Sequence, residues 1–221
     1  MSETAARPIA DIIAQLSEHG LEGLRPRLLR EPPVLPPHHG DYDLNPALKP
    51  DAARKLAPAA VLLSIVARAE PAILFTQRTD TLSRHAGQVS FPGGRADEGD
   101  VSLVQTALRE TKEETGIDPS FVTVAGFLDA YETGTGFAIL PVVGLLTEGF
   151  ALDPHAGEVA EIFEVPLAWL LDEANRETGE REWQGKPRRF HAFRYNGHYI
   201  WGATAGMLLT LYRLCSDGGM K

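Results

Sequence analysis

The stretch that decides the fold is FPGGRADEGDVSLVQTALRETKEETGI, residues 91–117. Its second half has the character of an α-helix, because no Gly or Pro interrupts residues 101–115. Asp100 can cap the first turn, and Gly116 suits the left-handed conformation that often ends a helix. The sequence therefore predicts a helix over residues 101–115.

A helical wheel divides this predicted helix into an apolar face and an acidic edge. With roughly 3.6 residues per turn, the positions expected to be buried fall together: Leu103, Val104, Ala107, Leu108, Thr111 and Thr115. Glu110, Glu113 and Glu114 fall side by side at the edge of that face. We therefore expect the helix to pack on a core and to crowd three carboxylates together.

The crowded carboxylates indicate a site for a hard divalent cation. Like charges on a partly buried edge repel one another, and a cation that prefers oxygen ligands, such as Mg²⁺, relieves that repulsion. Arg109 lies one turn before Glu113 and can pair with it, and the Gly93–Gly94 pair lets a ligand approach the backbone closely. The alternative is an ordinary charged surface helix, but the Gly-Gly loop and the acids in this order favour the cation site.

The stretch from Gly94 to Ile117 resembles the Nudix box, a glycine and an acid followed by Arg-Glu-x-x-Glu-Glu-x-Gly and an apolar residue. It departs from that pattern because Asp100 replaces Glu and because eight residues, not seven, separate Asp100 from Arg109. We therefore assign Asp100 to helix capping rather than to metal binding. The resemblance implies an α/β/α sandwich with a mixed β-sheet, and hydrolysis of a nucleoside diphosphate linked to another group.

The same resemblance implies roles for four side chains of the box. Glu110 and Glu114 would hold Mg²⁺ or Mn²⁺, Glu113 would bind metal or orient the attacking water, and Arg109 would hold these carboxylates in place. Metal ions neutralise the charge of a pyrophosphate and lower the pKa of a bound water. The chemistry of the acid cluster therefore agrees with the implied reaction.

The segment before the box, residues 74–94, resembles the signature of the coenzyme A pyrophosphatase branch. That branch cleaves coenzyme A or its derivatives to 4′-phosphopantetheine and adenosine 3′,5′-bisphosphate. Guanidinium groups in this region could hold the phosphates, although each could equally form a surface ion pair; Arg84 stands one position after the expected arginine. The predicted substrate-binding residues are Arg78, Arg84, Arg95, Phe91, Gly93 and Gly94.

Similarity further along the chain extends the resemblance to about residues 57–215. Glu158 and Glu161 lie at the start of a predicted strand, from which Nudix enzymes often bring a distal acid to the metals. Glu158 is our candidate general base, with a solvated strand-end glutamate as an equal alternative. A structural role is favoured for His85, and Trp201 is expected in the core rather than beneath an adenine.

The remaining pattern predicts an α/β domain over residues 56–221, preceded by an arm over residues 1–55. The predicted strands are 60–66 and 72–76, forming a hairpin, then 122–128, 138–145, 159–163 and 190–199, with a turn at Asn196-Gly197; further helices are predicted at 166–175 and 202–214. The arm combines a short helix near residues 9–16 with a proline-rich linker at 31–39. His38 and His39 in that linker are expected to have no specific role.

Composition restricts the partners. The hydrophobic content of 43% supports a sizeable core, and the net charge of -9 lacks the basic footprint of nucleic-acid proteins. Cys215 is the single cysteine, and no apolar window reaches the roughly 20 residues of a membrane span. We therefore expect a cytoplasmic protein with a small-molecule substrate, coenzyme A or a related nucleotide, and no nucleic-acid or membrane partner; both a monomer and a homodimer stay open.

Two other functions remain open at this point. One is a Nudix hydrolase of ADP-ribose, a nucleoside diphosphate sugar or a dinucleoside polyphosphate; the signature before the box favours coenzyme A over these. The other is a non-catalytic nucleotide- or metal-binding module. The crowded acids of the box beside Arg109 argue against this second alternative, because clustered charges are costly and binding alone does not require them.

Overall fold

Within the residues that the computed structural model describes, 24–34, 37–49, 54–81, 85–183 and 185–216, the chain forms two β-sheets and three α-helices. The helices are α1 (Leu103–Thr115), α2 (Leu167–Leu170) and α3 (Ala203–Ser216). The strands are β1 (His39–Gly40), β2 (Ala57–Val66), β3 (Ala72–Arg78), β4 (Val89–Ser90), β5 (Gly93–Arg95), β6 (Val122–Phe127), β7 (Tyr131–Glu132), β8 (Phe137–Leu146), β9 (Val159–Pro166), β10 (Arg176–Trp183), β11 (Lys186–Tyr195) and β12 (His198–Trp201). The helix predicted near residues 9–16 lies outside the described residues.

The larger sheet is mixed and is organised around β2. This strand pairs in parallel with β8 and antiparallel with β3 and β5. β3 continues the sheet to β4 and β9, while β8 continues it to β6 and β7, and β1 pairs in parallel with β7. The smaller sheet is antiparallel, in the order β10-β11-β12. The predicted hairpin of β2 with β3 is confirmed.

Helices cover both faces of the larger sheet. Successive side chains of a strand point to opposite faces, and β2 follows this rule. Ala60 and Leu62 join a buried cluster with Ala107 of α1, whereas Leu63 joins the main cluster with Leu208 of α3. The predicted α/β fold, with a mixed sheet between helical layers, is therefore confirmed.

The predicted elements are present with two main differences. The helix predicted over residues 166–175 ends at Leu170, because the Asp172 side chain accepts from the Ala174 N–H and starts a separate 3₁₀ turn over Glu173–Asn175. β10 was not predicted at all, because its side chains are mostly charged and exposed and show no apolar alternation. The short strands β1, β4, β5 and β7 were also missed.

The described part of the N-terminal arm packs against the domain that follows it. Leu24 and Leu28 are buried in the main core cluster, and the Arg27 guanidinium donates to the carbonyls of Leu214 and Cys215 at the end of α3 (both 3.0 Å). Of the described helices, none has the length and apolar character needed to cross a bilayer.

Candidate active site

Helix α1 begins two residues later than expected. Its N-cap is Ser102, whose hydroxyl accepts from the Gln105 N–H at 3.2 Å, so the assignment of Asp100 to helix capping was wrong. The Asp100 carboxylate is instead engaged by Arg109, with Nε–Oδ1 and Nη2–Oδ2 distances of 3.0 Å. At the other end, Gly116 has a φ of 78° and caps the helix as predicted.

Arg109 links the loop before α1 to the acid cluster. Beyond its two bonds to Asp100, its Nη1 donates to Glu110 at 2.9 Å and to Glu113 at 3.0 Å. The guanidinium holds the pKa of Asp100 well below its usual range, and Asp100 in turn raises the pKa of Arg109. Thr106 also donates to Asp100 at 2.8 Å. The predicted pair with Glu113 is present, within a wider network that fixes Arg109.

The two glycines of β5 bring the backbone against two glutamates of α1. A Cβ on Gly94 would stand 2.5 Å from the Glu110 Cδ, so the Glu110 carboxyl lies directly on the Gly94 backbone. The Gly93 N–H donates to Glu114 Oε2 at 3.2 Å. A side chain at Gly94 would displace the Glu110 carboxyl, so the present position of that carboxyl depends on glycine here.

Burial of the Glu110 and Glu114 carboxyl groups makes their negative charge unfavourable. Glu114 is only 5% exposed, and burial raises its pKa to about 7, helped by Glu110 and Glu158 and opposed by the Gly93 N–H and Arg78. Burial also raises the pKa of half-buried Glu110, against the effect of Arg109. The neighbouring N–H groups and arginines do not fully offset the cost of burying these two negative charges. A bound cation would offset the rest.

The donor set fits a hard divalent cation. Glu110 and Glu114 supply carboxylate oxygens, whereas Glu113 is exposed and bonded to Arg109. Across the described chain, no group of three or more His, Cys, Asp or Glu side chains is arranged to hold an ion. Mg²⁺ usually takes one or two protein carboxylates and completes its shell with water and phosphate oxygens, so Glu110 and Glu114 could serve as its protein ligands.

The loop before β9 connects Glu158 to the end of α1. Backbone N–H groups of Asp153 and His155 donate to the carbonyls of Thr115 (2.8 Å) and Glu114 (3.1 Å). Glu158 follows in the same loop, is exposed, and lies close enough to raise the pKa of Glu114. Sequence reasoning missed this connection, because backbone hydrogen bonds leave no residue-type signal.

The alternative distal acid, Glu161, is engaged elsewhere. Its carboxylate lies 3.8 Å from His198 Nε2, and its backbone is in register with Gln77 of β3. His198 also contacts Gln77 through Nδ1 at 3.2 Å. Of the two candidates, Glu158 is the one whose charge acts on Glu114.

Of the predicted substrate-binding residues, one lies beside the acid cluster, one is exposed and one is buried in the core. Arg78 lies beside the acid cluster, with Nη1 3.8 Å from Glu114 Oε1, and its buried Nε has no hydrogen-bond partner among the described residues. Arg95 is exposed, next to Gly94. Phe91 is 1% exposed and stacks on Phe75 at 5.1 Å. Its ring therefore packs in the core, and its contact with substrate stays a prediction.

Four further residues singled out in the sequence lie outside the acid cluster or outside the described residues. Arg84 lies outside the described residues. His85 has a φ of 58° and bonds Gln88 through Nδ1 at 2.8 Å, so it shapes its loop as favoured. Trp201 is half-buried on the outer face of the smaller sheet, with the Arg181 guanidinium 5.3 Å from its ring centre. Its expected place in the core is therefore wrong. His39 contacts Asp43 at 3.3 Å.

Comparison with known proteins agrees with this fold and box. Residues 55–184 match the NUDIX domain, and the chain belongs to the Nudix family. It is 43% identical over 150 residues to the uncharacterized Nudix hydrolase NudL of Photorhabdus laumondii, which covers 68% of this chain and 80% of that protein. It is 40% identical over 176 residues to the uncharacterized Nudix hydrolase NudL of Pectobacterium atrosepticum, which covers 79% of this chain and 90% of that protein.

Two solved structures are similar over part of the chain. One is an Ap4A hydrolase binary complex from C. elegans, at 22% identity and a TM-score of 0.44, covering 49% of this chain and 80% of that one. The other is the NUDIX domain of Shewanella oneidensis NrtR complexed with ADP ribose, at 22% identity and a TM-score of 0.42, covering 59% of this chain and 84% of that one.

Proposed function

We propose that the protein hydrolyses the pyrophosphate bond of coenzyme A or an acyl derivative, giving 4′-phosphopantetheine and adenosine 3′,5′-bisphosphate. Family membership supports the coarser statement, that the protein is a Nudix hydrolase of a pyrophosphate-containing substrate. The finer statement rests on the signature in residues 74–94, which resembles the coenzyme A pyrophosphatase branch.

A single observation supports the finer proposal best, the contact between the signature and the box. Arg78 of the signature lies 3.8 Å from Glu114 of the box. Its buried Nε has no partner within the described chain, and a buried donor without an acceptor costs on the order of 1–3 kcal/mol. The partly exposed end of the guanidinium would donate to a phosphate oxygen of the substrate beside the metal-binding acids. Arg78 is therefore suited to hold the pyrophosphate at the site of its cleavage.

The other side chains take roles consistent with their contacts. Nudix hydrolases use divalent metal ions, here proposed to be Mg²⁺ or Mn²⁺ held by Glu110 and Glu114; the metal supplies charge neutralisation and an acidified water. Arg109 keeps Glu110 and Glu113 oriented.

Further roles are assigned near the substrate. Glu113 is proposed to bind metal or orient the attacking water, and exposed Glu158 to accept its proton. Arg95, Arg84 and the Gly93–Gly94 segment beside the acids are proposed to bind the phosphates.

The experiment that tests the proposal is an assay of coenzyme A hydrolysis with about 5–10 mM Mg²⁺ or Mn²⁺, enough for a weak oxygen-ligand site. EDTA is the control, and chromatography resolves the products. Metal-dependent release of adenosine 3′,5′-bisphosphate is expected. Dephospho-coenzyme A and ADP-ribose are compared in parallel, and a preference for ADP-ribose would overturn the choice of substrate. A folded protein that binds metal and turns over none of the three would overturn the assignment of these substrates altogether.

A further inference from the structure

The smaller sheet ends in an open edge. β10 (Arg176–Trp183) pairs with β11 along one side, and no other described strand pairs with it. Its side chains are mostly exposed on both faces, and among the described residues no backbone hydrogen bond reaches its outer side. An unpaired strand of this length is a template for pairing with another chain.

We propose that β10 pairs antiparallel with β10 of a second copy of this chain, about a two-fold axis that passes between the two Gly179 residues. The two copies would then share one six-stranded sheet. Such an interface is isologous, since the same strand meets itself and each contact occurs twice. This inference goes beyond the proposed function and does not depend on it.

The geometry of a strand pair restricts the register. Along β10, every second residue points its N–H and C=O groups toward the open edge. In an antiparallel ladder, such a residue faces a residue of the partner strand whose N–H and C=O groups also point across the interface, and the residues between them face one another. The two residue numbers of each facing pair therefore have an even sum, so one residue faces its own copy and the two-fold axis passes between them. Registers that pair most of β10 are centred on Thr178, Gly179, Glu180 or Arg181.

Charge selects one of these registers. The register centred on Arg181 is unfavourable, because Arg181 would face its own copy and Glu180 would face Glu182. Centred on Gly179, Arg176 faces Glu182 and Glu177 faces Arg181, and symmetry repeats both pairs. All four direct contacts between charged residues are then between opposite signs, which stabilises facing positions.

The neighbouring registers lack this match. The register centred on Thr178 gives only the Arg176–Glu180 pair and shortens the ladder, while the register centred on Glu180 places Arg181 opposite Gly179. Charged residues usually protect an open edge from association. Here their order instead fits a second copy in one register.

The outer face of the smaller sheet, the one turned away from Phe193 and Ile200 of the core, favours the same position of the axis. Phe190 faces Gly179 across the strand pair, and a Cβ on Gly179 would stand 2.5 Å from the Phe190 ring. The aromatic ring therefore covers the glycine on which the axis falls. Arg181 lies over Trp201, and Phe190 packs on Trp201 at 5.0 Å. Aromatic residues and arginine are the residue types enriched in protein interfaces.

Contacts within one copy bear on the two kinds of pair differently. Arg176 already pairs with Glu173 at 2.9 Å, so the register depends mainly on the Glu177–Arg181 pairs. Glu177 pairs with Arg194 at 2.9 Å, with both side chains well exposed. Exposed ion pairs of this kind contribute little to stability. Glu177 can therefore contact Arg181 of a second copy at small cost.

The test is sedimentation equilibrium over a roughly hundredfold range of concentration, where mass action moves the dimer fraction. Wild type is expected to dimerise. Glu177→Arg and Arg181→Glu each place like charges opposite one another, and each should raise the dissociation constant at least tenfold. The double variant Glu177→Arg/Arg181→Glu exchanges the two signs and should restore dimerisation. Glu148→Arg, which alters a surface glutamate paired with Arg68, is the control for charge and should leave the dimer unchanged.

Hydrogen exchange locates the interface. Alternate amides of β10 should exchange more slowly in wild type than in the single variants, whose folded state is checked by circular dichroism. A monomer at every concentration would overturn the proposal. So would a double variant no better than the single ones, or a dimer whose β10 amides exchange as in the single variants.

Discussion

At the scale of single residues, Glu114 combines burial with a negative charge. It is 5% exposed, accepts the Gly93 N–H and lies 3.8 Å from Arg78. Glu114→Gln keeps an acceptor oxygen and nearly the same shape but removes the charge. We expect coenzyme A turnover to fall by several orders of magnitude while the fold, checked by circular dichroism, stays intact. Unchanged turnover would refute the assignment of Glu114 as a metal ligand.

The same residue predicts a pH dependence of stability in EDTA. Burial raises the pKa of Glu114 from 4.5 to about 7, so between these values the folded protein binds more protons than the unfolded chain. The stability that protonated Glu114 contributes to the folded state is fully present below pH 4.5 and is lost as pH rises through about 7. Its size is at most roughly 3 kcal/mol. Urea denaturation from pH 5 to 8 should show this loss in wild type and a flatter profile in Glu114→Gln; parallel profiles would contradict it.

Asp100 gives a prediction about the orientation of the metal-binding acids. Asp100→Asn removes the charge that receives the two bonds from Arg109, while Asn keeps the size of the side chain. Residues that orient metal ligands typically contribute about 10–100-fold to metal affinity or activity. We expect a loss in that range in both kcat/KM and Mn²⁺ affinity. Asp97→Asn is the control, because Asp97 is exposed and 3.6 Å from Arg109; an equal loss there would argue against an orienting role.

Residue identity predicted part of this site and not the rest. The acids of the box and Arg109 were found because a 3.6-residue period places them together on one helix edge. The bond between Asp100 and Arg109 was missed because the shape of the loop before Ser102 decides which donor Asp100 meets. The burial of the Phe91 ring was not predicted, because Phe91 lies in the short connection between β4 and β5 and residue type alone does not tell which way its side chain points.

At the scale of elements, the end of α1 is fixed by Gly116 and the loop beside it. Gly116 has a φ of 78°, and a Cβ there would stand 2.7 Å from Asp153 Cβ. We expect Gly116→Ala to lower the free energy of unfolding by at least about 1–2 kcal/mol, the cost of a left-handed non-glycine residue, and to lower activity by displacing the loop that carries Glu158.

A matched glycine provides the control for that prediction. A Cβ on Gly99 would meet no atom within 4 Å, so Gly99→Ala should change the free energy of unfolding by a few tenths of a kcal/mol. Urea denaturation of both variants measures the difference. Equal stabilities would contradict the steric argument for Gly116.

The elements that sequence predicted well are those with an apolar pattern. β2, β3, β8 and β9 were expected near their observed bounds, because their buried runs are rich in β-forming residues. β10 was missed, because Arg176–Trp183 is mainly charged and its pairing with β11 depends on the turn that joins them. Local pattern therefore predicts the buried sheet better than its exposed extension.

At the scale of the whole molecule, the N-terminal arm contributes to the core. Leu24 is 1% exposed and belongs to the same cluster as α3. We expect Leu24→Ala to cost about 2–5 kcal/mol, the range for buried leucines, while kcat for the folded enzyme stays near wild type. Val34→Ala, at a side chain 87% exposed, should stay within about 0.5 kcal/mol. Similar melting temperatures for the two variants would show that the arm does not stabilise the domain.

The parallel pairing of β2 with β8 has a consequence for how the protein folds. Each residue of β2 pairs with the residue 80 positions later, as Ala57 does with Phe137. Contacts so distant in sequence are slow to form, because a long loop must close first. Helix α1 lies within that loop and packs on β2, so the helix that carries the acids cannot bury its apolar face against the finished sheet until β8 has been synthesised. We therefore expect the carboxylate cluster to be among the later features completed on the ribosome.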